Sequence, residues 1–247
     1  MSIKKMQFLY ILGGIFILPA VPFLFLQGKY VRRKVGRLPD AAGETAGTIG
    51  AHQEIINLLA IGESTVAGIG ATTHKEALTG QFAKHLSAKC GKTVCYFALG
   101  ESGITVKGTL QRLVPKLPRT DADIILVALG GNDVFTLSSP QKWRQNLNEL
   151  LAILREKYPN SKILVANVPM VRDFIALPNP LRYVLSRLAK LHHFNAISLI
   201  KEMENVVYFD DVRRVETDFF SDGIHPSPKG YDLWAAAMVD FLIRNAD

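Results

Sequence analysis

From residue 55 to the C-terminus, short continuous runs of apolar residues alternate with longer segments in which apolar positions recur at helical spacing. The short runs predict strands at 55–61, 93–99, 123–129, 162–168 and 206–209. Between and after them the spacing predicts helices at 75–89, 106–114, 141–157, 181–203 and 229–244. Trp143, Leu147, Leu150, Leu151 and Leu154 make one apolar stripe. Ser139-Pro140 and Ser227-Pro228 each offer a cap followed by proline at the first helical position, and Thr73 with Glu76 fits a capping box. Strands alternating with helices imply a parallel sheet covered on both faces. The expectation is an α/β fold: a three-layer α/β/α sandwich on a flavodoxin-like, five-stranded parallel sheet of order 2-1-3-4-5.

A different pattern precedes this. Phe8 to Leu26 is a run of 19 residues without a charge. As a helix it would measure about 28 Å, close to the hydrocarbon core of a bilayer. It is apolar all round, and Pro19 and Pro22 are placed to bend it. No small-x-small cleavage site follows cleanly, so an uncleaved, single-pass transmembrane anchor is expected over 1–37. Residues 38–53, with Pro39 and several Gly, Ala and Thr, read as a linker, and 54–247 as the folded domain.

Charge changes the picture only at this anchor. The chain carries 29 Lys and Arg against 22 Asp and Glu. Seven of the basic residues (Lys4, Lys5, Lys29, Arg32, Arg33, Lys34, Arg37) lie in the first 37 residues, which hold no acid, and the remainder is formally neutral. The basicity therefore points to lipid headgroups, and nothing signals a nucleic-acid partner. Five cations after the run against two before it favour a cytoplasmic domain; a cleaved signal would send the domain outward. Cys90 and Cys95 cannot form a disulfide framework and are expected to be buried free thiols.

The chemistry collects where strands end. The first predicted strand runs into Gly62-Glu63-Ser64-Thr65, the second into Gly100-Glu101-Ser102-Gly103, the third into Gly130-Gly131-Asn132-Asp133. After the last strand comes Asp222-Gly223-Ile224-His225-Pro226. In the order 2-1-3-4-5 the first three strands are neighbours, so one crevice receives a hydroxyl, glycine backbone, a carboxamide, an imidazole and a carboxylate. These are the parts of acyl transfer. Each alone is weak: a serine after a strand is usually a turn residue, and His225 alone could be structural, as His52, His74, His85, His192 and His193 are taken to be. Their coincidence carries the weight.

These four blocks, in order and spacing, resemble those of the SGNH or GDSL-like hydrolases, with Gly230-Tyr231 after the last block also similar. Two departures stand out: Glu63 where the family has Asp, and Ala98 where many members have Asn. The resemblance implies Ser64 as nucleophile, His225 as base, Asp222 as its orienting acid, and Gly100 with Asn132 as oxyanion donors beside the Ser64 N–H. It implies no metal and no organic cofactor.

Rival readings fit less well. An ordinary α/β-hydrolase elbow would need glycine where Val66 stands. A nucleotide site lacks both the Lys-Ser/Thr of a P-loop and the third glycine of a dinucleotide fingerprint. Asp210, Asp211, Asp218, Asp222 and His225 read better as a solvated acidic loop than as a metal site. A silent binding module, an acyltransferase and a carbohydrate deacetylase remain as alternatives. The apolar loops 134–137 and 170–177, with the anchor, suggest a small-molecule or lipid ester as substrate, although such loops also pack onto a core.

Overall fold

The structure, a computed structural model, describes the chain apart from Arg37, Arg213, Ala246 and Asp247. The last cation of the basic flank and the end of the expected folded domain thus lie outside the described residues. Helices cover both faces of one sheet. Its strands are β1 (Ala46–Ile49), β2 (Ile55–Gly62), β3 (Thr93–Gly100), β4 (Ile124–Ala128), β5 (Lys162–Val165) and β6 (Val206–Tyr208), in the order β1-β3-β2-β4-β5-β6.

The five strands β2 to β6 are parallel and, numbered among themselves, stand in the order 2-1-3-4-5. The expectation of five strands needs correcting, because β1 pairs antiparallel with β3 at the edge. It comes from the segment read as a linker. Four residues suffice because an edge strand needs only one partner, and Gly47 allows the approach: a Cβ there would lie 2.6 Å from the Tyr96 hydroxyl oxygen.

Side chains alternate across the sheet with period 2, so each strand feeds two cores. Leu59, Ile61, Ile125, Val127, Ile163 and Val165 face α6 (Pro140–Lys157) and α7 (Leu181–Ile200). Leu58, Ala60, Leu126, Ala128 and Leu164 face α3 (Leu78–Cys90) and α8 (Pro228–Arg244). The expected stripe of α6 is wholly buried, and Ser139 and Ser227 cap α6 and α8 through the N–H groups of Lys142 and Gly230. Thr73 and Glu76 do bond to each other, but they brace a turn, and α3 starts later than expected, at Leu78. Two short helices complete the layers, α4 (Val106–Arg112) and α5 (Gly131–Phe135).

Both cysteines are free. Cys90 is exposed at the end of α3, which corrects the expectation that both thiols are buried, and Cys95 is half-buried beside Thr48. Of the histidines, His192 is fully buried and stacks on Trp143 at 4.7 Å; burial pushes its pKa down to about 3.

The N-terminal run is helical over α1 (Ile3–Ile17) and α2 (Val21–Val35), joined by a 3-10 turn at Leu18–Ala20. Pro19 and Pro22 lack the N–H that an uninterrupted α-helix would use, which accounts for the turn. The whole segment is long and apolar enough to cross a membrane. It is not detached from the domain: Met6, Leu24 and Val31 are buried, Val31 within the α6–α7 core.

Candidate active site

Glu63 and Ser64 leave the end of β2 in a tight turn, with the Val66 and Ala67 N–H groups donating to Glu63 O and Ile69 N–H to Ser64 O. Gly62 and Gly100, partners in the β2–β3 register, leave room for this turn. A Cβ on Gly100 would fall 2.3 Å from Ala67 N, and one on Gly62 would fall 2.4 Å from Ala128 O.

The late loop is fastened to this early turn. Ser221 Oγ donates to Gly70 O at 2.9 Å, and the buried Tyr231 hydroxyl donates to Ile69 O at 2.6 Å. Gly70 has φ +93°, and a Cβ there would meet Pro226 O at 2.3 Å, so only glycine allows the two backbones this close. Within the loop, Asp222 Oδ1 accepts from the N–H groups of Ile224 (2.9 Å) and His225 (2.7 Å), while Oδ2 lies 2.7 Å from His225 Nδ1. Burial raises the Asp222 pKa, but the His225 ring and the two backbone donors outweigh it and leave the carboxyl below its ordinary value.

Ser64, Asn132 and His225 line one cavity of about 500 Å³, a volume that suits a small organic molecule. No hydrogen bond joins Ser64 Oγ to the His225 ring among the described residues; such bonds often tighten only around a substrate. Gly100 lies off the cavity lining, behind the turn. Phe135, Met170, Phe174 and Phe220 give the cavity an apolar wall, with Phe174 edge-on to Phe220 at 5.6 Å. The loops singled out for their apolarity therefore divide: Phe135, Met170 and Phe174 reach the cavity, whereas Val134, Val171 and Leu177 pack into the core.

Sequence reasoning noted Glu63 only as a departure. In the structure it is buried and bolts two blocks together. Its carboxylate accepts from Gly131 N–H (2.8 Å), Asn132 N–H (2.9 Å) and Asn132 Nδ2 (2.6 Å). The second Asn132 amide hydrogen goes to Ile104 O at 3.1 Å. A Cβ on Gly131 would lie 2.8 Å from Glu63 Oε1, so the absence of a side chain at Gly131 gives the longer acid its room. Asp133 is also buried, accepting from Val106 N–H at the start of α4 and from Ser138. Trp234, held by Asn167 at 2.9 Å, is a further cavity residue the motifs did not mark. Of the acidic residues considered for a metal, Asp218 pairs with Lys229 and Asp222 with His225; no metal-holding cluster occurs among the described residues.

Burial raises the Glu63 pKa to about 7, against the opposing N–H groups of Asn132 and Gly131. A carboxyl whose folded pKa exceeds its ordinary 4.5 stabilises the fold fully only below that value, and its contribution is lost as pH rises through 7. Relative to Glu63→Gln, the wild type is expected to lose about 3 kcal/mol of stability between pH 4 and pH 8. Urea unfolding of both proteins across that range checks it. Glutamine will add a constant offset by turning one donor toward another, so the readout is the slope, and parallel curves would refute the assignment.

A family model described as the GDSL-like lipase/acylhydrolase family matches residues 60–233. The chain belongs to this family. Solved structures with the same fold include TesA (20% identity, TM-score 0.58, covering 75% of this chain and 97% of that one). The psychrotrophic esterase EstA from Pseudoalteromonas sp. is another (18%, TM-score 0.56, 77% and 98%). A third is a family two carbohydrate esterase from Clostridium thermocellum (15%, TM-score 0.55, 80% and 67%). A search of curated proteins finds no match. Residues 1–59, with the apolar helices, precede the segment that this GDSL-like hydrolase shares with its family model.

Proposed function

We propose that this GDSL-like hydrolase is a membrane-attached serine esterase acting on carboxylic esters with an apolar acyl group. The observation that carries the reading is the fastening of the 220–226 loop to the turn after Ser64, which supports Ser64 and the Asp222–His225 pair working on one substrate. Ser64 Oγ attacks the ester carbonyl and passes its proton to His225 Nε2. Asp222 holds the proton on Nδ1 and stabilises the ring once it is charged. The tetrahedral oxyanion collapses and expels the alcohol, which takes the proton from His225. Water, deprotonated by the same ring, then releases the acid and restores Ser64.

Proposed donors to the oxyanion are the Ser64 N–H and the Asn132 carboxamide; Gly100, which the resemblance implied as a third, lies off the cavity lining. Asn132 would give up its longer bond, to Ile104 O, and keep the shorter one to Glu63. A donor of this kind is worth about 3 kcal/mol of barrier. The phenylalanine wall supports an acyl chain in the cavity, and the long apolar N-terminal helix supports attachment to a lipid surface.

Reaction with a fluorophosphonate, which traps an activated serine as a phosphonyl ester, tests the assignment; the EstA structure is of an enzyme inhibited by monoethylphosphonate. Peptide mapping is expected to find the adduct on Ser64 alone, with loss of p-nitrophenyl butyrate hydrolysis in proportion to labelling. An unlabelled protein, or an adduct elsewhere, would overturn it.

A further inference from the structure

We infer that the N-terminal helix lies in the plane of a single membrane leaflet, with one face gripped by the catalytic domain and the other in lipid, and does not cross the bilayer. The inference rests on the membrane-attachment part of the reading above and concerns its geometry. Helical from Ile3 to Val35, the segment would measure about 50 Å. The domain holds it at both ends of its apolar run. Near the start, Gln7 Oε1 accepts from Gln141 N–H at 3.2 Å, and the Tyr10 hydroxyl donates to Leu137 O at 2.8 Å. Near the end, the Gln27 amide donates to Asn179 O at 2.7 Å and accepts from Leu181 N–H at 3.1 Å.

Gln7 and Gln27 are separated by about 30 Å of helix, which equals the thickness of the hydrocarbon core. If the rod stood upright in a bilayer, the same domain would have to touch both membrane surfaces. Its polar loops would then run through hydrocarbon, where backbone groups find no partners. Lying flat removes the conflict. The gripped side carries the polar side chains of the run, Gln7, Tyr10 and Gln27, together with the buried Met6, Leu24 and Val31. The outward side is apolar along its length: Phe8, Ile15, Leu18, Phe25 and Leu26 are exposed, and Phe16 is 76% exposed.

Charge points to lipid as the occupant of that face. Lys4 and Lys5 at one end and Lys29, Arg32, Arg33 and Lys34 at the other flank it without an acid between them. In a flat helix both clusters meet the headgroups of the same leaflet. The grip also sets the cavity near the lipid, because Leu137, bonded by Tyr10, is two residues from Phe135 in the cavity wall.

The two arrangements differ in where the N-terminus emerges. Full-length protein in membranes of the expressing cells, prepared as spheroplasts and as inverted vesicles, would be treated with a membrane-impermeant maleimide. One form keeps only the exposed Cys90 (Cys95→Ser); the other carries Ser2→Cys with both native cysteines changed to serine. Both sites are expected to label in the same preparation and to be protected together in the other. Labelling from opposite sides would overturn the flat arrangement while leaving attachment intact. Protein released into the soluble fraction would remove attachment and the inference with it. Phe16→Cys is expected to resist the reagent in both preparations until detergent is added. Dimers cross-linked through that cysteine would put a second copy of the chain on the face and overturn lipid as its occupant.

Discussion

Ser64→Ala is expected to lower kcat for p-nitrophenyl butyrate by about five to six orders of magnitude, with KM changed little. Removal of the nucleophile from a comparable triad costs about 10⁶-fold, the residue being what oxyanion donors and binding supply alone. The fold should be indifferent. Ser64 is buried, yet its hydroxyl makes no hydrogen bond among the described residues, so alanine removes one oxygen and leaves no partner stranded. Unfolding free energy is expected to stay within about 0.5 kcal/mol of the wild type. The pairing of a very large kinetic loss with an unmoved stability separates a nucleophile from a turn residue. Residual activity above about one per cent would point to Thr65, the neighbouring hydroxyl on the cavity, and would refute the assignment to Ser64.

Much of the candidate site was legible in the sequence because three of its four blocks sit at strand ends, and the flavodoxin-like order that suits five parallel strands makes those strands neighbours. Apolar runs such as 55–61 mark a strand well, although the strand expected over 162–168 ends at Val165; Ser139-Pro140 and Ser227-Pro228 mark helix starts well, since both signals are local. Strand β1 was not legible. Ala46–Ile49 has neither length nor apolar periodicity, and its pairing depends on the free edge of β3, a property of the assembled sheet. The start of α3 was overstated for a related reason: the Thr73–Glu76 contact exists, but the chain uses it to brace a turn that packs against Ala42.

Glu63 shows the limit more sharply. Its position before Ser64 marked it only as a departure from the family pattern. Its carboxylate reaches across to the start of α5 and holds Asn132, a contact 69 residues away in sequence that no local pattern encodes. Gly130-Gly131 was the available clue, because two adjacent glycines leave space for a neighbour as well as a turn. The N-terminal run was read correctly as a long apolar helix. Its seating against the domain was missed because Gln7, Tyr10 and Gln27 look incidental in a sequence and act only through partners in α6, α7 and the loop before α6.

Asp222→Asn should cut kcat by about 10⁴-fold, a loss that comes from tautomer and not from shape. Asparagine can keep its carbonyl oxygen on the Ile224 and His225 N–H groups, so the loop retains its two backbone bonds. Its NH₂ then faces His225 Nδ1, where the carboxylate accepted a hydrogen bond at 2.7 Å. Two donors cannot share that line, so the ring moves its hydrogen to Nε2 and loses the lone pair that must take the Ser64 proton. The Asp222 side chain is only 8% exposed, so water does not screen the exchange of a charge for a dipole. Stability at neutral pH should fall modestly. Because Asp222 sits below its ordinary carboxyl pKa, the difference between wild type and variant should be present above about pH 4 and shrink as pH falls through the folded value. Kinetics and urea unfolding on the same preparations decide the matter. A loss under tenfold in kcat would leave Asp222 as a brace for its loop and take the base assignment of His225 down with it.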